Sequence, residues 1–301
     1  MSNIDSGRHT NNKLAFVFGI LSAFSLSIMV LFVKLTAPYT TSGVIIASRF
    51  LISFMYILII LGGKYILGNP VSLQTQKPLM HLIRALFGLL SMLFLYYALR
   101  FISLVDGTLL SMTNALFIPI IAWLFFGVKT SKMVIFAIFL GFIGVVLVIH
   151  PWSSSINIHD FYALGSGVST AISIILLREI ARIDGPYVIM FYYFASAFII
   201  SIIIAACDWV MPSSHVILLL LCIGIFGTLY HDFLIRASGY APAAIVSVFL
   251  YCSIGFSAIF DLVVWKVTPN ICTCIGLLII CFTSYITVVT STKPITFKIR
   301  Q

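Results

Sequence analysis

Charge is what this 301-residue chain most conspicuously lacks. Only 8% of its residues are Asp, Glu, Lys or Arg, where a soluble domain carries roughly 25%. Acids are the scarcer sign, with eight against seventeen Lys and Arg. A soluble fold of this length has no polar surface to wear, so a water-borne enzyme or binding module is excluded. The catalytic signatures are missing as well. There is no HExxH, no nucleophile setting of the GxSxG kind, no paired-aspartate motif for prenyl diphosphates and no phosphate-binding GxxxxGK[ST] loop. Six cysteines form no CxxC, and the two thiols of Cys272-x-Cys274 diverge on a helix. No metal site, no cofactor and no enzyme activity are expected. The net charge of +9 makes no nucleic-acid patch, because the basic residues are scattered between apolar runs. No A-x-A cleavage site follows the first apolar run, so it reads as a span and not as a signal peptide.

What is present is hydrophobic sequence, 61% of the chain. It falls into ten runs near 14–33, 43–61, 79–99, 105–126, 133–149, 161–177, 187–206, 216–235, 241–265 and 271–290. Each has about the length that crosses a bilayer as a helix. Lipid offers backbone groups no partners, so only helices or closed barrels cross it, and the length of these runs selects helices. The expected fold is an all-α integral membrane protein of ten transmembrane helices. Gly62-Gly63, Gly68-Asn69-Pro70, Asp184-Gly185-Pro186 and Met211-Pro212-Ser213 punctuate the runs. Twelve Lys and Arg gather at one set of helix ends, and Lys34, Arg100 and Lys266 at the other. The positive-inside rule then puts both termini in the cytoplasm. Trp123, Trp152, Trp209 and Trp265 fall near expected helix ends, as an interfacial belt requires.

The chain also repeats itself. Shifting 94–130 by 139 residues onto 233–269 needs no gap and matches Phe94, Leu95, Ala98, Phe117 and Ile120 with Phe233, Leu234, Ala237, Phe256 and Ile259. Earlier in each half the shift is 144. It pairs Ser22, Ser25 and Lys34 with Ser166, Ser169 and Arg178, and Phe50 with Phe194. Five spans per unit is odd, so the second unit enters the membrane from the other side. The expectation is a 5 + 5 inverted repeat, an arrangement of secondary transporters. The units would be 14–150 and 151–292, with tails 1–13 and 293–301.

Ser48-Arg49-Phe50-Leu51, Tyr96-Tyr97-Ala98-Leu99-Arg100-Phe101 and the echo Arg236-Ala237-Ser238-Gly239-Tyr240-Ala241-Pro242-Ala243 resemble the drug/metabolite transporter superfamily, in its EamA branch. His81-Leu82-Ile83-Arg84 is similar to the opening of helix 3 in rickettsial-type S-adenosylmethionine carriers of that branch. The resemblance implies a ten-helix carrier. The family often has a glutamate in the turns after helices 4 and 9. Here those turns read Gly127-Val128-Lys129-Thr130 and Lys266-Val267-Thr268-Pro269, without an acid.

Several residues stand out as candidates for substrate binding. Arg49 lies about seven residues into the second span, where an unpaired charge is costly. It either meets a substrate carboxylate or phosphate, or it snorkels outward or braces Asp106 or Asp261. The structural reading is preferred, since the resemblance makes this Arg a general family feature. Arg84 is expected to snorkel to the inner headgroups. Tyr230-His231-Asp232 is unusual in an apolar helix. Asp232 and Arg236 have the spacing of an i,i+4 pair, and His231 is a candidate proton site or contact for a cationic substrate. Ser111, Thr113 and Asn114 form a polar cluster halfway along the fourth span. Tyr251 and Ser253 are the pseudo-equivalents of Met112 and Asn114, at the depth where an inverted-repeat carrier binds its cargo. Interhelical hydrogen bonding accounts for the same residues equally well. Ser22, Ser25, Ser166 and Ser169 suit close helix packing.

The expected function is secondary-active transport of a small metabolite, amino-acid-like or S-adenosylmethionine-like, across the bacterial inner membrane. Protons or an exchanged metabolite would drive it, in a monomer or homodimer embedded in the lipid bilayer. A lipid flippase of the same fold and a membrane-embedded enzyme are the alternatives.

Overall fold

The computed structural model describes residues 12–127, 131–149, 157–207, 209, 211–240 and 249–290. The two tails, the Ala241-Pro242-Ala243 echo, Trp152 and most of the turn after the fourth span lie outside the described residues. The helices are α1 (Asn12–Thr36), α2 (Ser42–Ile66), α3 (Pro78–Ala98), α4 (Leu104–Met112), α5 (Asn114–Phe126), α6 (Lys132–Ile149), α7 (Ile158–Ile180), α8 (Pro186–Cys207), α9 (Ser214–Tyr240), α10 (Cys252–Phe260) and α11 (Ile271–Thr290). Eight stretches have the length and hydropathy to cross a bilayer, and two shorter apolar helices complete ten. The protein is a multi-pass, all-helical membrane protein.

The helix starts carry ordinary chemistry. Thr41 and Ser103 cap α2 and α4 by accepting from the Val44 and Asp106 amides. Asn157 caps α7 by accepting from the His159 amide. Pro78 and Pro186 open α3 and α8, where a missing N–H costs nothing.

The fourth span departs from expectation. It is not one helix but two, α4 and α5, joined at Thr113. There the Thr113 hydroxyl turns back on the Leu110 carbonyl at 2.5 Å and competes with the helical ladder. The Leu116 amide reaches Thr113 O in a tightened i−3 bond of 2.8 Å. The ninth span is interrupted within one residue of the corresponding place, at Tyr251.

The repeat is visible in the packing. α1 packs on α9 as α7 packs on α3. α2 packs on α9 as α8 packs on α3. α4 packs on α7 as α10 packs on α1. The pairs α2–α8, α4–α10 and α6–α11 are their own counterparts, as a two-fold axis between halves requires. Local geometry repeats too. Gly127 ends α5 in the left-handed region (φ 63°, ψ 21°), and Lys266, 139 residues later, does the same after the π-turn Asp261–Trp265 (φ 58°, ψ 24°). Only a backbone that must stop in the same way explains a lysine there, since a Cβ disfavours it.

In lipid, burial of apolar surface does not drive one helix onto another, so contact depends on close packing. Ser22 and Ser166 behave as matched small residues. Ser22 donates to Tyr230 O at 3.0 Å, and Ser166 shares a 3.0 Å bond with Ser91, so the 139-residue shift already holds in α3 and makes Ser91 the pseudo-equivalent of Tyr230. At α6–α11 the backbones touch: a Cβ on Gly276 would lie 2.7 Å from Gly144 O.

Candidate functional site

Four helices build a charged centre inside the bundle. Arg49 is the eighth residue of α2 and Arg84 the seventh of α3, so each lies roughly 10 Å from its helix start, at opposite faces of the bundle. The Arg49 side chain leans toward Gly227 of α9, where a Cβ would lie 2.6 Å from its Nε. Tyr193 of α8, the pseudo-equivalent of Arg49, leans in the same way on Gly88 of α3, the pseudo-equivalent of Gly227. The fold thus provides two matched notches and fills one with a cation and the other with a phenol. Arg84 lies with its guanidinium carbon 4.4 Å from the Tyr193 ring centre. Arg49 contacts Met92 Sδ and lies 5.2 Å from the Phe50 ring centre. The His231 ring packs against Tyr193, Phe194 and Tyr230 at 5.7, 5.7 and 4.7 Å.

This arrangement corrects two expectations. Arg84 does not snorkel to headgroups. Its face of α3 packs against α7 and α8, its carbonyl accepts from Ser173, and its side chain is buried. Arg49 neither reaches outward nor braces an acid. It is fully buried, and Asp261 belongs to Lys34. Arg49 Nε and Nη2, Arg84 Nε and Nη1, and His231 Nε2 are buried without a hydrogen-bond partner.

Asp232 faces elsewhere. It accepts from Tyr56 at 2.9 Å and from Arg236 at 2.7 Å, the i,i+4 pair that the spacing implies. Successive helical residues point about 100° apart, so His231 and Asp232 do not act as a unit. Tyr230 lines the centre beside His231.

The remaining candidates gather at the break between α4 and α5. Asn114 Nδ2 donates to Ser111 O at 3.2 Å, and Ser111 Oγ bonds Ser166 Oγ at 2.9 Å. Tyr251 donates to Met112 O at 3.4 Å, joining pseudo-equivalent residues. Ser253 is buried. Its carbonyl accepts from Ser27, and its own hydroxyl has no partner. The structure brings Tyr251 to the break but shows no bond between Asn114 and Ser253.

Polar ties join the halves toward both faces, and an ion-paired carboxylate anchors one at each. At the face holding Lys34, that ammonium meets Asp261 at 3.4 Å and lies 4.5 Å from the Trp265 ring centre. Asp261 also accepts from the Val105 amide at 3.0 Å. Beside it opens a cavity of about 460 Å³, lined by Asp106, Asp160 and Asp261 among others. At the other face Asp184, between α7 and α8, accepts from Thr75 at 2.6 Å and bonds His81 Nε2 at 2.7 Å. The His81 ring stacks on Tyr192 at 4.8 Å. These ties were not foreseen, because their partners are 227 and 103 residues apart.

Burial pushes the Asp184 carboxyl upward, but the hydrogen bonds from Thr75 and His81 and the charge of His81 outweigh it, and the group sits below its ordinary value. A carboxylate with a depressed pKa contributes stability above the unfolded-state value of about 4 and loses it as pH falls through the folded value. Wild-type thermal stability in detergent is therefore expected to drop on acidification below about pH 4. Asp184→Asn, which keeps an acceptor for Thr75, is expected to show a shallower dependence. Identical pH profiles for the two proteins between pH 7 and 3 would show that this tie carries no such stability.

Sequence comparison now identifies the lineage. The profile of the EamA-like transporter family matches residues 13–150 and 157–289. The chain belongs to the EamA-like transporter family. Within it, the chain is 28% identical over 266 residues to the pseudopaline exporter CntI of Pseudomonas aeruginosa strain UCBPP-PA14, covering 88% of this chain and 92% of that one. It is 25% identical to an S-adenosylmethionine uptake transporter of Rickettsia felis, over 69% of this chain and 71% of the relative. A solved crystal structure shares the fold, with a TM-score of 0.63 at 16% identity, over 94% of this chain and all of the other. This EamA-like chain is thus a membrane transporter by family, and its relatives carry transporter names. The first matched segment ends, and the second begins, close to the boundary between its two halves.

Proposed function

We propose that this protein is a secondary-active carrier of one small metabolite, amino-acid-like or S-adenosylmethionine-like, which moves it across the bacterial inner membrane by alternating access. The observation that carries this reading is the pairing of helix contacts between halves around a buried polar centre, with inter-half polar ties toward both faces. Rocking one half against the other would break the ties of one face while those of the other hold, exposing the centre to one side at a time. The relatives named for pseudopaline export and S-adenosylmethionine uptake support a small organic cargo. Their opposite directions leave import and export equally compatible with the fold. No phosphate-binding loop occurs in the sequence, so a gradient or exchange drives the cycle.

The excess of Lys and Arg at one set of helix ends supports cytoplasmic termini. Reporter fusions at residue 12, in 62–77 and after residue 301 are expected to report cytoplasm. Purified protein in proteoliposomes loaded with bacterial metabolite extract is expected to exchange labelled metabolites against the internal pool. A flux no greater than that of protein-free vesicles, from well-folded protein, would remove the carrier reading.

The break between α4 and α5 contributes to the cargo site in this reading. Asn114 has hydrogen-bonding capacity beyond its bond to Ser111 O, and the Ser253 hydroxyl is unpartnered in a medium that cannot solvate it. Asn114→Leu is expected to weaken cargo binding by about 1–3 kcal/mol, the cost of an unsatisfied buried partner, with near-normal folded yield. Cysteines placed at 114 and 253, in a background without the six native cysteines, are expected to react with a small hydrophilic thiol reagent. Unreactive positions in every condition would show that both face neighbouring helices.

A further inference from the structure

We infer that the centre between α2, α3, α8 and α9 is an anion site, in which Arg49 and Arg84 hold a carboxylate or phosphate group of the cargo. The inference rests on the carrier reading and gives it a substrate class. A guanidinium keeps its charge at any physiological pH, so burial cannot neutralise these two. Placed roughly 10 Å deep from either end, each needs a counter-charge or water.

The protein supplies no such counter-charge among its described residues. Of eight acids in the chain, Asp5 and Asp208 lie outside the described residues. The other six are engaged away from the centre. Asp261 meets Lys34, Asp184 meets His81, Asp232 meets Arg236 and Glu179 meets Arg182. Asp106 bonds Ser103 and Thr273, and Asp160 lines the cavity beside Asp261. The two arginines are left with His231 and a set of aromatic rings.

The geometry also shows how the anion would be held. Aromatic rings take part of each cation's surroundings, Tyr193 near Arg84 and Phe50 near Arg49. Such contacts partly offset the burial of charge. They leave the in-plane N–H edges, which are the groups without partners: Nε and Nη2 of Arg49, Nε and Nη1 of Arg84. Nε and Nη2 of Arg49 share one edge, which a carboxylate or phosphate binds in paired hydrogen bonds, and Arg84 offers Nε and Nη1 as separate single donors. His231 Nε2, also unpartnered, adds one more polar atom to the same centre. The site is asymmetric although its scaffold is symmetric. The second half has Tyr193 at the place of Arg49 and Ile223 at the place of Arg84. An anionic group is therefore engaged chiefly through side chains of the first half.

The test is equilibrium binding, separate from flux. Purified protein is titrated with succinate, inorganic phosphate, the neutral analogue succinamide and phosphatidylglycerol, with thermal stability read at pH 7. Stabilisation by succinate or phosphate, absent with succinamide, is expected. A water-borne anion is then the source, whereas stabilisation by phosphatidylglycerol alone assigns the same chemistry to a lipid headgroup. Arg49→Gln and Arg84→Gln are each expected to raise the half-saturating concentration at least tenfold, and Arg49→Lys to lose less. Should the variants fold poorly, wild-type protein decides. Phenylglyoxal modification of Arg49 and Arg84 peptides is expected to slow at least threefold with the bound anion, while exposed Arg182 is unaffected. No stabilisation by any anionic probe, stabilisation retained in the double Gln variant, or unprotected arginines would overturn the site. Anion binding without flux would instead remove the carrier reading, and flux of a neutral or cationic cargo indifferent to both arginines would leave it standing without the anion site.

Discussion

Asp261→Ala is expected to lower stability by about 3–5 kcal/mol, the usual cost of leaving one partner of a buried ion pair alone. Asp261 is nearly inaccessible and Lys34 largely so. The carboxylate does three things at once. One oxygen meets the Lys34 ammonium, the other accepts the Val105 amide at the start of α4, and the pair closes α1 of one half onto α10 of the other. Alanine leaves a cation and an amide without partners, and the orphaned amide adds about 1–3 kcal/mol of desolvation cost. The double change Lys34→Met with Asp261→Leu removes charge from both sides and is expected to fall much closer to wild type. Chemical unfolding in detergent, followed by tryptophan fluorescence, compares the three proteins. An Asp261→Ala protein as stable as wild type would show that the tie contributes nothing. In the carrier reading the same variant also loosens the Lys34 face, so a hydrophilic thiol probe at 253 is expected to react faster.

Gly276→Leu is expected to cost about 3 kcal/mol or more, at the upper end of what overpacking does. The obstacle is backbone. A Cβ at 276 would lie 2.7 Å from Gly144 O and 2.7 Å from Val148 Cγ2. A flexible side chain gives way, but a carbonyl in the middle of α6 does not, so α6 and α11 must move apart. Contact between them is what holds them, since lipid competes for every apolar surface they separate. Gly62→Ala is the control. Open space surrounds Gly62, and alanine favours a helix by about 0.5–1 kcal/mol over glycine. Folded yield after size-exclusion chromatography and the midpoint of thermal unfolding separate the two variants. Equal yield for Gly276→Leu would contradict the close approach of α6 and α11.

Much of the architecture was legible because lipid imposes a simple rule. A run that must satisfy its own backbone and face hydrocarbon is recognisable by length and composition, residue by residue. The repeat was legible for a different reason. Duplicated backbones keep their stops, so the 139-residue shift that aligned Phe94 with Phe233 also aligned the left-handed caps Gly127 and Lys266. The Asp232–Arg236 pair followed from helical spacing alone. The break at Thr113 was only half legible. Its polar cluster was plain, but whether the Thr113 hydroxyl joins the ladder or competes with it depends on what packs alongside. Here Gly167 brings α7 close to that hydroxyl and to the Leu110 carbonyl.

The sequence by itself thus determined the class, the ten spans and the existence of two related halves, because these depend on hydropathy and on local register. Tertiary structure alone decided the fate of each charge. Arg84 has a stem long enough to reach a headgroup, yet it lies inside, since its face of α3 is covered by α7 and α8. Arg49 has the charge to meet Asp261, yet Lys34 holds that acid. Which cation meets which anion is set by helix pairing across more than a hundred residues, and no local period encodes that choice. The same long-range pairing leaves two guanidiniums buried beside aromatic rings and the described acids engaged elsewhere.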